Sequence, residues 1–191
     1  MDNKLRILNY LGKHPQQGFT LHELSKETGI PYATFHRAVG GMEGLITLKR
    51  VGKAKVITAN NENPVLKSWL IISSEEEKKG FLKKQPLLNK IASKLSTTDI
   101  VVLFGSYAKG KQREDSDIDL LIINKRGEKS ITFSKYETLF KKRINPMFIT
   151  KEEFRRMLQD KEENVGKQVL KDHIILKNPE GFWECVLDGK I

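Results

Sequence analysis

The stretch "IVVLFGSYAKGKQREDSDIDLLII", residues 100–123, sets two strongly apolar runs on either side of a polar, basic loop. Ile100–Phe104 has strand length and stops at Gly105. Gly105-Ser106 reads as a turn, followed by a brief helix through Tyr107-Ala108. A second strand is expected over Asp117–Ile123, opening with two carboxylates that only Ile118 separates. Side chains two apart on a strand share a face, so Asp117 and Asp119 point the same way. Carboxylates that close repel each other, and a hard divalent cation offsets the repulsion.

Magnesium, or manganese in its place, favours one or two protein carboxylates together with substrate phosphates and water. The loop supplies the phosphate half of that set. Gly105 lets backbone approach a ligand closely, and Ser106 at a helix start offers a hydroxyl and free N–H donors. Lys109, Lys111 and Arg113 add positive charge, and Ser116 joins them as a candidate phosphate ligand. Together they describe a metal-bound nucleoside triphosphate held for in-line attack.

These residues resemble the signature of the DNA polymerase β-type nucleotidyltransferase superfamily. Its pattern is an apolar strand, Gly followed by Ser or Gly, a loop, and Asp-hydrophobic-Asp on the next strand. Here it reads Gly105-Ser106, ten intervening residues, then Asp117-Ile118-Asp119. The wording "FGSYAKG" then "SDIDLLI" is similar to the minimal branch, and the resemblance covers roughly residues 90–185. It implies a small mixed sheet with flanking helices and transfer of a nucleoside monophosphate from a triphosphate to an acceptor. Asp117 and Asp119 become the catalytic, metal-holding pair. The minimal branch further implies an antitoxin-like domain that modifies or masks a helical protein partner encoded beside it.

The family commonly adds a third carboxylate on a following strand. After a helix expected over Ile131–Phe140, that strand is "RINPMFIT", and Asn145 stands at the aligned place. A neutral amide coordinates through oxygen but cannot accept a proton as a carboxylate does. Pro146 removes a ladder donor, which suits an edge strand. Three readings stay open: catalysis with a weakened or substrate-supplied base, Glu137 or Glu153 folding into the site, or nucleotide binding without turnover. Glu153 also reads as a capping partner for Thr150.

The first third of the chain has another character. "KLRILNYL" sets Leu5, Leu8 and Leu11 on one helical face. Thr20 with Glu23 matches a capping box ahead of a second helix, which Gly29 ends. Pro31 suits a first helical position, and Phe35, Ala38, Val39 and Met42 form the buried stripe of a third helix. That stripe turns Ala33, His36 and Arg37 outward, with Thr34 and Tyr32 on its flanks. "LITLKR" and "AKVITAN" read as two strands joined across Gly52, with Lys49, Arg50, Lys53 and Lys55 at or near the tip. The segment resembles a winged helix-turn-helix domain with residues 46–58 as a basic wing. Thr34, His36 and Arg37 are the candidates for base edges, and the wing cations for phosphates of DNA. A winged helix used only for dimerisation or protein docking is the alternative.

Between these regions, Asn63-Pro64 marks a turn, and a helix follows with Val65, Leu66, Trp69, Leu70 and Ile71 apolar. Trp69 and its neighbours either pack within the chain, dock one domain on the other, or form a homodimer seam. "LLNKIASKLS" adds another helix. Toward the C-terminus, "TKEEFRRMLQD" and the segment holding Val165, Val169 and Leu170 read as helices. "IILKN" reads as a strand, and Pro179-Glu180-Gly181 as a turn before Phe182-Trp183.

The expected architecture is α+β: a winged helix-turn-helix over 1–62, connector helices over 63–96 and a nucleotidyltransferase domain over 97–191. The 191 residues carry a formal net charge of +10, which favours polyanionic partners such as nucleic acid and nucleotide phosphates. No apolar run is long enough to span a bilayer, no leader pattern is visible, and one cysteine closes no internal disulfide. A cytoplasmic protein without a membrane partner is expected. Two functions compete: a magnesium-dependent nucleotidyltransferase coupled to DNA binding, and a transcriptional regulator whose C-terminal domain binds nucleotide without turning it over.

Overall fold

The computed structural model describes residues 1–188 and divides the chain into two compact units, which part at Ser73/Ser74. In the first unit, α1 (Asn3–Lys13) starts where the Asp2 side chain accepts the Lys4 N–H. β1 (Phe19–Thr20) leads into α2 (Leu21–Glu27), and α3 (Tyr32–Gly40) follows after a short turn. The expected capping box is formed: Thr20 Oγ1 accepts the Glu23 N–H, and the Glu23 carboxylate accepts the Thr20 N–H. Pro31 caps α3 and is not its first helical residue. β2 (Ile46–Val51) and β3 (Ala54–Ala59) form the wing hairpin. Gly52 at its tip has φ +61°, a left-handed conformation that costs glycine little.

The sheet order is β1-β3-β2. Two-residue β1 gave no periodicity to read, but Phe19 pairs with Ile57 and closes the sheet over the helices. The core gathers Ile7, Leu8, Leu11, Leu24, Phe35, Met42 and Ile57, each no more than 1% exposed. Fully burying such a side chain contributes about 1.5–3 kcal/mol.

α4 (Val65–Lys84) runs across the boundary between the units, and α5 (Pro86–Lys94) follows with Pro86 in its first turn. β4 (Ile100–Phe104), the one-turn α6 (Gly105–Ala108) and β5 (Ile118–Asn124) come next. Then come α7 (Ser134–Phe140), β6 (Ile144–Thr150), α8 (Lys151–Gln159), α9 (Val165–Lys171), β7 (Ile174–Lys177) and α10 (Pro179–Asp188). The sheet order is β6-β5-β4-β7, with β5 and β6 parallel and the other neighbours antiparallel.

β4 and β5 are the inner strands, which explains their unbroken apolar runs. One face, with Val101, Leu103, Leu120 and Ile122, packs on Leu88 and Ile91 of α5. α8, α9 and α10 contact the central strands as well, and Phe154, Val169, Phe182 and Trp183 are completely buried. Trp183 Nε1 donates to Ser74 Oγ at 2.9 Å, so its one polar atom is satisfied inside. Pro146 lies on β6, an edge strand as its missing donor requires.

Three further sequence expectations are corrected. β5 begins at Ile118, not Asp117, because the first cross-link to the β6 side is Ile118 N–H to the Arg143 carbonyl, 2.9 Å. α7 begins at Ser134, not Ile131, since Phe133 is drawn into the core ahead of the helix. Residues 179–181 are no turn but the first residues of α10. Asn178 Oδ1 accepts the Gly181 N–H at 2.9 Å and Pro179 needs no donor there.

Candidate active site

The ladder between β4 and β5 ends with Phe104 opposite Asp119. The next residue of the chain, Gly105, therefore arrives against the aspartate. It has φ +72°, and a Cβ built on it would collide with Asp119 Oδ2 and stand 3.2 Å from Cγ. Only glycine combines that backbone conformation with that closeness. This approach of a bare backbone to a carboxylate is what the Gly-Ser turn and the Asp-Ile-Asp run build together.

β6 and the residue ahead of it furnish the neighbours of both carboxylates. Its parallel register sets Asn145 opposite Asp119, and Asn145 Nδ2 donates to Asp119 Oδ1 at 3.2 Å. Two residues earlier, just ahead of β6, Arg143 Nε lies 3.9 Å from Asp117 Oδ2, with the two side chains 79% and 41% exposed. Arg143 escaped sequence reasoning, because only the register of a parallel edge strand reveals which side chains face the aspartates. Asp117, just ahead of the strand, is half-buried like Asp119.

The loop residues divide. Ser106 is half-buried, and its carbonyl accepts the Lys111 N–H at 2.9 Å. Ser116 Oγ accepts the Arg113 N–H at 2.8 Å, so this hydroxyl shapes the loop. Lys109 Nζ lies 3.4 Å from Asp172 Oδ2, while the Lys111 and Arg113 side chains are exposed. Lys142 Nζ donates to the Glu114 carbonyl and fastens the loop to the segment before β6.

Neither proposed substitute for a third acid is free. Glu137 Oε1 accepts the Ile144 N–H at 2.9 Å. Glu153 closes a capping box with Thr150, whose N–H holds its carboxyl below the ordinary range. His173 is a core residue, its Nδ1 on the Val169 and Leu170 carbonyls and its ring against Phe182 and Trp183. Cys185 is buried, which pushes its thiol up.

Among the described residues there is no group of three or more His, Cys, Asp and Glu side chains able to hold a metal. The two carboxylates still are hard-oxygen donors; Asn145 turns its amide nitrogen toward them. Both carboxylates are only half-buried and Gly105 brings bare backbone against Asp119, so the donors suit magnesium or manganese that arrives with polyphosphate oxygens of its own.

On the first unit, His36 and Arg37 are exposed on α3, and Thr34 is half-buried. Lys49, Arg50, Lys53 and Lys55 are exposed on the wing, with Arg50 Nε donating to the Gly52 carbonyl at 3.2 Å. Tyr32, 47% exposed, lies between His22 and His36 at centroid distances of 5.9 and 6.2 Å. A cavity of about 430 Å³ opens between α3 and the wing, lined in part by His36, Val39, Ile46, Leu48 and Lys55.

Residues 86–187 match the nucleotidyltransferase domain, and residues 2–46 match the IclR helix-turn-helix domain. The chain belongs to the nucleotidyltransferase domain family and carries an IclR-type helix-turn-helix domain at its N-terminal end. No curated protein and no solved structure matches it. Among the described residues, no helix is long and apolar enough to cross a membrane.

Proposed function

We propose that this chain transfers a nucleoside monophosphate from a nucleoside triphosphate to an acceptor, with Asp117 and Asp119 as the catalytic pair. The observation that carries this reading is the convergence of Gly105 on Asp119 at the ends of β4 and β5, with Asp117 two residues upstream. Asp117 and Asp119 would hold magnesium or manganese, which when bound neutralises the polyphosphate and polarises the reacting phosphoryl group. Gly105 admits the polyphosphate close to the backbone, and the Ser106 hydroxyl and N–H donate to its oxygens. Lys111 and Arg113 offset its charge; Lys109 does so by exchanging Asp172 for a phosphate oxygen, and Ser116 keeps the loop closed. The acceptor oxygen bonds to the α-phosphorus as the bond to the bridging oxygen breaks and pyrophosphate leaves. Of the four side chains at the site, only the aspartates can take the acceptor's proton; Asn145 and Arg143 cannot.

In the same reading the N-terminal unit sets Thr34, His36 and Arg37 toward base edges of DNA. The wing cations Lys49, Arg50, Lys53 and Lys55 lie along phosphates. Transfer of α-labelled triphosphates, supplied with magnesium to the protein alone and with RNA, DNA or protein acceptors, tests the chemistry. Label should move with the wild type and not with Asp117→Asn or Asp119→Asn. Transfer that survives both substitutions rejects the site.

One observation favours a second reading. Asn145 occupies Asp119 with an N–H and brings no third acid, an arrangement suited to a nucleotide-responsive DNA binder without turnover. That reading gives nucleotide binding, no label transfer, and DNA affinity that shifts when nucleotide is added.

A further inference from the structure

Where a metal site gains from more negative charge, the residue ahead of β6 places a guanidinium. Arg143 stands beside Asp117 as Asn145 stands beside Asp119, so one carboxylate of the pair has a counter-charge beside it before any ligand arrives. A bare divalent cation is repelled by that guanidinium. A metal–triphosphate complex, itself anionic, is attracted by it. The Arg143–Asp117 pair is also built to part: 3.9 Å exceeds hydrogen-bond range, and the arginine is 79% exposed. Of the other cations nearby, Lys142 donates to the Glu114 carbonyl, Lys109 pairs with Asp172, and Lys111 and Arg113 are exposed on the loop; only Arg143 lies against a carboxylate of the pair. A planar guanidinium matches phosphate oxygens two at a time.

We propose that Arg143 makes cation and nucleotide binding interdependent. In the free protein it holds Asp117, and when metal and triphosphate arrive together it exchanges that carboxylate for a phosphate oxygen. The metal is thereby admitted chiefly with its nucleotide. This inference rests on the nucleotidyltransferase reading of the site.

The test is a manganese titration of the full chain followed by electron paramagnetic resonance of the free ion. It is run with metal alone and then with α,β-methylene analogues of ATP, GTP, CTP and UTP, which cannot be cleaved at the transfer bond. The wild type should bind manganese weakly alone and more tightly with at least one analogue. Arg143→Gln should bind manganese alone roughly two- to fivefold more tightly, the size expected for removing one exposed counter-charge. It should also lose most of the tightening by nucleotide. Arg143→Lys should keep the weak binding of metal alone and recover part of the nucleotide effect. Equal manganese affinity in wild type and Arg143→Gln, with equal nucleotide effect, overturns the proposal and leaves the nucleotidyltransferase reading standing. A wild type that binds no analogue with manganese overturns both.

Discussion

Asn145 and Asp119 face each other across two parallel strands, joined by a 3.2 Å hydrogen bond from the amide to the carboxylate. The contact is the cross-strand pairing that the β5–β6 register dictates at the site. On the proposed reading of the site, a neutral donor stands where a two-metal face would use extra negative charge.

Replacing Asn145 by Asp exchanges the 3.2 Å hydrogen bond to Asp119 for a contact between two carboxylates, a repulsion that a bound cation offsets; the position is exposed, so the fold should tolerate it. Manganese affinity should rise by about tenfold, following the count of carboxylate ligands. Label transfer by the wild type, if slow for want of a base, should accelerate in the same variant. Manganese titration and initial transfer rates check both.

Gly105→Ala meets two obstacles, a left-handed backbone and the Asp119 carboxylate. The expected loss is about 1–3 kcal/mol of stability, together with weaker binding of metal–nucleotide, because relief of the clash displaces Asp119. Urea denaturation and manganese titration on the same preparation separate the two effects. A variant with unaltered stability and binding would show that the close approach is unimportant.

Much of this was legible in the sequence. The inner strands announced themselves through apolar runs too long for a one-sided surface, and Gly105-Ser106 with Asp117-Ile118-Asp119 marked where the first of them ends and the second begins. The capping boxes at Thr20 and Thr150 fixed two helix starts. What was hidden depends on tertiary register. β1 is two residues long and exists only because Phe19 pairs with Ile57. Arg143 becomes a neighbour of Asp117 only once β6 lies parallel to β5. α10 was mistaken for a turn because Pro179 and Gly181 outweighed its real signal, an Asn-Pro start followed by Phe182, Trp183 and Val186 on a helical repeat.

Salt dependence reports on the wing. If Lys49, Lys53 and Lys55 touch phosphates, substitution of each by Gln should lower the slope of log affinity against log salt by about 0.9 per contact. A random-sequence duplex of some 30 base pairs suffices, since phosphate contacts are indifferent to sequence. Unchanged slopes in the triple variant would remove the wing from the DNA interface.

Thr150 and Glu153 make stability depend on pH with a defined sign. The Thr150 N–H and hydroxyl hold the Glu153 carboxyl below its ordinary range in the folded state. The folded value lies under the unfolded one, so the stabilisation is complete above the unfolded value and fades as pH falls through the folded value. Thr150→Ala keeps the backbone donor but removes the hydroxyl. It should lower stability by about 1 kcal/mol near neutrality, and the gap to wild type should narrow in acid. Thermal midpoints measured from neutral pH down to about pH 3 check the trend across the carboxylate range.

The most direct measurement is the anomalous scattering of manganese in crystals grown with an α,β-methylene triphosphate. A peak shared by Asp117 and Asp119, with polyphosphate oxygens beside Gly105 and Ser106, is the predicted result. No peak there, with the aspartates still paired to Arg143 and Asn145 while nucleotide is bound elsewhere, would contradict the account.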